Sequence, residues 1–227
     1  MPTTQQLEAL LQFDSCTLSN SIESFGVRLP DRGFADSTIR PVFAGQPPIL
    51  GYAVTGRIRT SSLPPGGHRY GDRTDWWNYV LTLPAPRVVV LQDVDDKPGF
   101  ASFIGEVHAA ILRALGCAGV VTDGAVRDLG RIEAQGFPLF ARNVAISHAF
   151  SHLVDFGGAV EVGGLPVAPG DLLFGDRHGV LAVPADLVPE LPGAAVRLLL
   201  KERRVIDYCS SPEFSLDGLR GLVEGVK

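Results

Sequence analysis

The sequence predicts an α/β fold with a parallel core, on three observations. Two runs, RVVVLQDVDD from Arg87 and AGVVTDG from Ala118, are apolar without interruption until they end in acids, the pattern of strands covered on both faces. Segments of helical period stand between and after them, which is the strand–helix–strand alternation of βαβ units. From about Ser147 the texture changes to short strand-like runs separated by glycine turns, which predicts an antiparallel or mixed extension of the same sheet.

The elements follow in order. TTQQLEALLQF and DSCTLSNSIESFG predict two short helices within residues 1–26, the second capped by Asp14 or Ser15 and stopped by Gly26. ILGYAVTGRIR, from Ile49 to Arg59, is rich in strand formers, and residues 61–75 pack Pro, Gly and charge into a loop long enough to serve a function. WWNYVLTLP gives one or two helical turns ended by Pro84 and Pro86. After the strand at Arg87, Ile104, Val107, Ile111, Leu112 and Leu115 share one helical face, and Gly116 stands at the C-cap. RDLGRIEAQG is a short helix closed by Gly136, FPLFARNV a third strand, and the three strands form a parallel sheet with right-handed crossovers. GGAVEVGG, LPVAPGDLLFGD and RHGVLAVP supply the later strands, and a helix over 185–206 ends the pattern. No internal repeat or low-complexity linker interrupts the chain, so the expected organisation is one domain over 1–227.

Totals exclude several classes. The 227 residues suffice for a core without disulfide or metal staples. A formal charge of −5 argues against a nucleic-acid partner, whose phosphates call for clustered Lys and Arg. No run reaches the roughly 18 apolar residues of a membrane span, and the first residues lack a basic-then-apolar signal, so no membrane partner and a cytoplasmic location are expected. Cys16, Cys117 and Cys209 include no CxxC, and they read as buried thiols rather than a disulfide or zinc framework.

Open α/β sheets bind ligands beyond the carboxyl ends of their strands, which directs attention to the acids and amides there. Gly105-Glu106, near a helix start, supplies backbone N–H groups and the positive end of the helix dipole. Arg127 adds a planar fork for a carboxylate, and Asp128 a hard oxygen ligand for Mg or Mn. Each alone reads as an ordinary surface or packing residue. Together they describe a site for an anionic 2-oxo acid chelated to a divalent metal. Asp93, Asp95 and Asp96 read as a solvated turn. The only lysines are Lys97, Lys201 and Lys227, none at the end of a buried strand, so a Schiff-base mechanism has no nucleophile and an aldol or decarboxylation reaction here needs a metal as electron sink. His148 and His152, four apart, would share a face if helical, but no third ligand accompanies them, and they read as structural. His178 reads as a turn residue with a structural hydrogen bond, and His68 as a loop residue able to face the site.

The run GEVHAAILRALGCAGVVTDGAVRDLGRIEAQGFPLFAR, with VEVGGLPVAPGDLLFGDRHGVLAVP after it, resembles the family shared by the 4-hydroxy-4-methyl-2-oxoglutarate aldolases and the regulator of ribonuclease E activity A, over about residues 14–205. The resemblance implies an α/β/β sandwich of the swivelling-domain type, assembled as a homotrimer or hexamer with active sites between subunits and the 185–206 helix at the interface. It implies that Gly105, Glu106, Val107 and His108 hold pyruvate through their backbone, that Arg127 binds the oxo-acid end, and that Asp128 binds the metal. Glu106 stands where the family has an acid beside the metal's water, and Glu202, with Glu190 as the other candidate, stands for the acid given by a neighbouring subunit. Family members often carry an acid two or three residues after the Arg-Asp pair, whereas here Gly130 and Arg131 follow and Glu133 is the first acid. The expected function is a class II aldolase that cleaves a 4-hydroxy-2-oxo acid to pyruvate, with oxaloacetate decarboxylation beside it. The rival readings are a non-catalytic regulator that binds an RNA-degrading enzyme, and a lyase or hydratase acting on another hydroxy acid.

Overall fold

The computed structural model describes residues 2–64 and 74–224. Helices α1 (Thr4–Leu10) and α2 (Ser15–Glu23) come first, then strands β1 (Arg40–Pro41) and β2 (Ile49–Arg59). The middle of the chain holds α3 (Thr74–Thr82), β3 (Arg87–Asp93), β4 (Ser102–Ile104), α4 (Glu106–Ala114), β5 (Cys117–Val126), α5 (Leu129–Ala134) and β6 (Leu139–Val144). Strands β7 (His152–Phe156), β8 (Val160–Val162), β9 (Leu165–Val167), β10 (Leu172–Asp176) and β11 (Gly179–Val183) follow, and α6 (Leu191–Cys209) and α7 (Leu216–Glu224) end the described chain. The residues group into a central unit, Pro30–Ala185, and a terminal unit formed by Met1–Leu29 with Asp186–Lys227.

In the central unit one mixed sheet runs in the order β1-β6-β5-β3-β2-β10-β11, with β4 added to β5 and β7 to β2. β2, β3, β5 and β6 are mutually parallel, as the strand–helix alternation predicts. β10, β11, β7 and β1 pair antiparallel. β1 lies near β11 and Phe34 bridges Leu181, so the sheet nearly closes on itself.

Strand alternation explains the continuous apolar runs. On β3, Val88 and Val90 face the β8–β9 hairpin, packing with Val160, Val162, Leu165 and Val167. Val89 and Leu91 face the opposite way, toward Trp76 and Val80 of α3, Ala109 and Leu112 of α4, and Ile132 of α5. All four β3 residues are fully buried, because helices cover one face and a hairpin the other. This α/β/β layering is the expected fold class.

Three local expectations are corrected. Ile104 belongs to β4 rather than to the helix face, and Val107 is 69 % exposed, so α4 buries Ala109 and Leu112 instead. The 185–206 helix begins later: Ala185–Leu187 is a 3-10 turn, and α6 starts at Leu191, beyond Pro189, which cannot donate within a helix. Cys16 and Cys209 are exposed, whereas Cys117 is buried and its burial pushes the thiol up to about 12.

In the terminal unit, Thr3 and Gln6 form a reciprocal capping box on α1, and Asp14 Oδ1 accepts the Thr17 N–H at 2.7 Å to cap α2. α2 packs on α6, and α7 is a further helix there. Among the described residues no helix is long and apolar enough to cross a membrane.

Candidate active site

The candidate residues meet because β4 is strapped to the end of β5. Ser102 pairs with Ala125 and Ile104 with Val126, and the Arg127 N–H donates to the Ile104 carbonyl at 3.0 Å. The start of α4 is thereby set beside the turn after β5, and Gly105-Glu106 lies against Arg127-Asp128.

Asp128 occupies the left-handed region, with φ 59° and ψ 36°. It is the N-cap residue of α5 but does not cap that helix with its side chain. Its Oδ2 instead accepts the Glu106 N–H at 3.1 Å, so the carboxylate sits at the positive end of α4. Gly105 makes this approach possible. Its backbone is extended and open to any residue, but a Cβ there would stand 2.7 Å from Asp128 Oδ2 and 3.1 Å from Arg127 Nε. The requirement is for space.

Arg127 Nε lies 3.7 Å from Asp128 Oδ2, and the guanidinium donates no hydrogen bond to any described residue. Its fork is available to an anionic ligand. Arg131 Nη1 donates to Glu106 Oε2 at 3.0 Å, a contact that sequence reading missed because it depends on how α4 and α5 are phased. Val107 is exposed on the first turn of α4, and the His108 ring stacks on Phe103 at 4.9 Å and 15°. Glu202 and Glu190 belong to α6 in the terminal unit, where Glu190 is the N-cap residue without a side-chain cap bond.

The acids at the end of β3 do not form the solvated turn that was expected. Asp93 and Asp95 are buried, and only Asp96 is exposed. Asp95 accepts four hydrogen bonds, from the N–H and hydroxyl of both Thr60 and Ser61. Burial raises its pKa, but these bonds outweigh burial and hold the carboxyl below its ordinary range. Asp93 accepts from the Asp95 and Gly99 N–H groups, yet its burial is the larger effect and pushes it up. Asp123, another residue that sequence reading passed over, accepts the Asp93 N–H at 2.7 Å and is pushed up to about 6, first by burial.

The histidines are not on a shared helical face. His148 lies in a loop and His152 opens β7, and each ring faces a backbone carbonyl, that of Ala149 and of Phe150. The His178 N–H donates to Asp176 Oδ1 at 2.9 Å, the structural turn bond expected. His68 and Lys227 lie outside the described residues; Lys97 and Lys201 are exposed.

Among the described residues, no three His, Cys, Asp or Glu side chains converge as a cation site. What the site offers a cation is the Asp128 carboxylate, with Glu106 next to it. That donor set fits Mg²⁺ or Mn²⁺, which keep several waters and need only one or two protein carboxylates beside substrate oxygens. It does not fit a zinc site of three or four protein ligands.

Nearly closed sheet, helical layer and hairpin, with an Arg-Asp turn packed on a helix start, define a recognisable class. The chain belongs to the RraA-like family (Aldolase/RraA), whose model matches residues 15–182. That family holds both aldolases and RNase inhibitors. The chain is 27 % identical over 204 residues to the uncharacterized protein MJ0644 of Methanocaldococcus jannaschii, a match over 88 % of this chain and 92 % of that protein. A protein of Halalkalibacterium halodurans with the provisional name 4-hydroxy-4-methyl-2-oxoglutarate aldolase is 39 % identical over 83 residues, which is 35 % of this chain and 39 % of that one. In structure the chain is similar to RraAS2 of Streptomyces coelicolor, described as an unusual member of the RNase ES inhibitor RraA protein family. The TM-score is 0.70 at 22 % identity, over 89 % of this chain and 96 % of that one, and it speaks for the fold alone.

Proposed function

We propose that the protein is a divalent-metal-dependent aldolase that cleaves a 4-hydroxy-2-oxo acid, such as 4-hydroxy-4-methyl-2-oxoglutarate, to pyruvate, with oxaloacetate decarboxylation as a side activity. The observation that carries this reading is the meeting of three groups at one point: an Arg127 guanidinium without a hydrogen-bonded partner among the described residues, the Asp128 carboxylate, and the first turn of α4. The first N–H groups of a helix have no partner within it, so the start of α4 offers the Val107 N–H where a pyruvyl carboxylate would lie.

A Mg²⁺ or Mn²⁺ ion held by Asp128 would supply the electron sink that the reaction needs. Arg127 binds the 2-oxo acid end and, with the α4 amides, faces the negative charge that develops on the pyruvyl oxygens as the C3–C4 bond breaks. Glu106 Oε1, the oxygen not engaged by Arg131, accepts the 4-hydroxyl proton directly or through a water. In a homotrimer or hexamer, Glu202 of a neighbouring copy would add a further acid.

Coupled detection of pyruvate, with and without Mg²⁺ or Mn²⁺, tests the proposal. Turnover should require the metal, and Asp128→Ala should lose at least about 100-fold in kcat. Undiminished turnover in that variant would remove the metal assignment. Because the family also holds RNase inhibitors, the second reading is a non-catalytic regulator. It would take first place if no 2-oxo acid released pyruvate while an RNA-degrading enzyme was stably retained.

A further inference from the structure

We infer that Arg131 is a positioning residue for this reaction, holding the Glu106 carboxylate at the edge of the site so that one oxygen is presented to the substrate. The inference rests on the aldolase reading. The geometry is a closed circuit of three hydrogen bonds. The Arg131 N–H donates to the Asp128 carbonyl at 3.0 Å, Arg131 Nη1 donates to Glu106 Oε2 at 3.0 Å, and the Glu106 N–H donates back to Asp128 Oδ2 at 3.1 Å. Arg131 is thus tied at its root to the residue assigned to the metal and at its tip to the residue assigned to the proton.

Glu106 has a long side chain, 37 % exposed, and its carboxylate has no other partner among the described residues. Without Arg131 it would sample several rotamers over the mouth of the site. Arg127 does not substitute, since its guanidinium approaches Asp128 rather than Glu106. The Arg131 side chain is 74 % exposed, and an exposed pair of this kind adds little to stability. Its consequence is therefore the direction in which Glu106 points.

Four full-length variants test the role: Arg131→Met, Arg131→Lys, Glu106→Gln, and Arg131→Met combined with Glu106→Gln. Each is assayed for kcat and KM with oxaloacetate and 4-hydroxy-4-methyl-2-oxoglutarate at saturating Mg²⁺, for Mn²⁺ affinity by calorimetry, and for Tm. Arg131→Met should lower kcat about tenfold with 4-hydroxy-4-methyl-2-oxoglutarate, the substrate that has a 4-hydroxyl proton to lose, part of what a general base supplies, with KM and Mn²⁺ affinity within about twofold of the wild type and Tm unchanged. Arg131→Lys should recover most of the loss. In the Glu106→Gln background, Arg131→Met should cost less than about twofold more, because residues that act as a unit are not additive. An undiminished kcat, a loss confined to KM, or a full tenfold loss in the Glu106→Gln background would overturn the role of Arg131 while leaving the aldolase reading in place. A wild-type protein that releases no pyruvate would overturn both.

Discussion

Asp128 holds a left-handed backbone at φ 59°, a conformation that costs a non-glycine residue on the order of 1 kcal/mol, although Asn and Asp tolerate it better than most. Asn at this position would keep the tolerated backbone and an oxygen for the Glu106 N–H, and would lose only the charge. Asp128→Asn should therefore unfold in urea within about 0.5 kcal/mol of the wild type and yet release no pyruvate. An active Asn variant would show that the carboxylate charge is not what the site uses. Gly105 tests space instead of charge. Ala fits its backbone, but the added Cβ would drive Asp128 Oδ2 and Arg127 Nε aside, so Gly105→Ala should lower kcat/KM at least about tenfold while destabilising by about 1–3 kcal/mol. Unchanged kinetics in Gly105→Ala would mean that the two side chains relax without consequence. Gly105, Glu106, Arg127 and Asp128 were legible in the sequence because each stands at a strand end or helix start, positions that local pattern fixes to within a residue or two. Arg131 and Asp123 were not, because their partners Glu106 and Asp93 are chosen by packing between elements distant in sequence.

The β8–β9 hairpin is short, two strands of three residues, and it packs on β3 and its neighbours β2 and β5. A two-stranded hairpin alone is marginal in water, so the burial of Val160, Val162, Leu165 and Val167 against the sheet is what keeps it folded. Leu165 is 3 % exposed within this cluster; Leu165→Ala should cost about 2–5 kcal/mol in urea unfolding, and a cost below about 1 kcal/mol would show that this face is loosely packed. The hairpin could be read from its alternation and flanking glycines, as could the parallel strands from their unbroken apolar runs. β4 could not. Its three residues, Ser102–Ile104, carry no periodicity, and they are a strand because β5 extends past β3, whose pairing stops at Thr122, and leaves them an edge to pair with. The same gap moved Ile104 onto the helix face in the sequence reading. The true helical face follows from where α4 begins, which the strap to β5 decides.

At the scale of the whole molecule, the buried acids at the ends of β3 and β5 couple stability to pH. Asp123 is 7 % exposed and pushed up to about 6 from 3.8, mainly by burial; the nearby Asp93 charge adds to the rise, and the Asp93 N–H and Arg142 oppose it. A carboxyl raised in the folded state favours its neutral form there. Below pH about 4 it is protonated whether the chain is folded or not, and it has no differential effect. Between pH about 4 and 6 the folded chain keeps a proton that the unfolded chain has released, so stability falls as pH rises, by about 3 kcal/mol in all for a shift of roughly two units. Above pH about 6 the loss is complete. Asp93, raised in the same direction by burial, adds to this slope. Asp95, held low by its bonds to Ser61 and Thr60, has the opposite sign: its stabilisation is present above the unfolded value near 3.9 and is lost as pH falls through its lower folded pKa. Asp93 and Asp123 thus favour folding most below pH about 4, whereas Asp95 favours it above that pH. Asp123→Asn keeps an oxygen for the Asp93 N–H but removes the titration. The variant should exceed the wild type by only about 1 kcal/mol at pH 4.5 and by about 3 kcal/mol at pH 7.5, and show a shallower slope between. Chemical denaturation at pH 4.5, 6 and 7.5 decides the matter, because an Asn variant that kept the wild-type slope would place the titrating proton elsewhere than on Asp123.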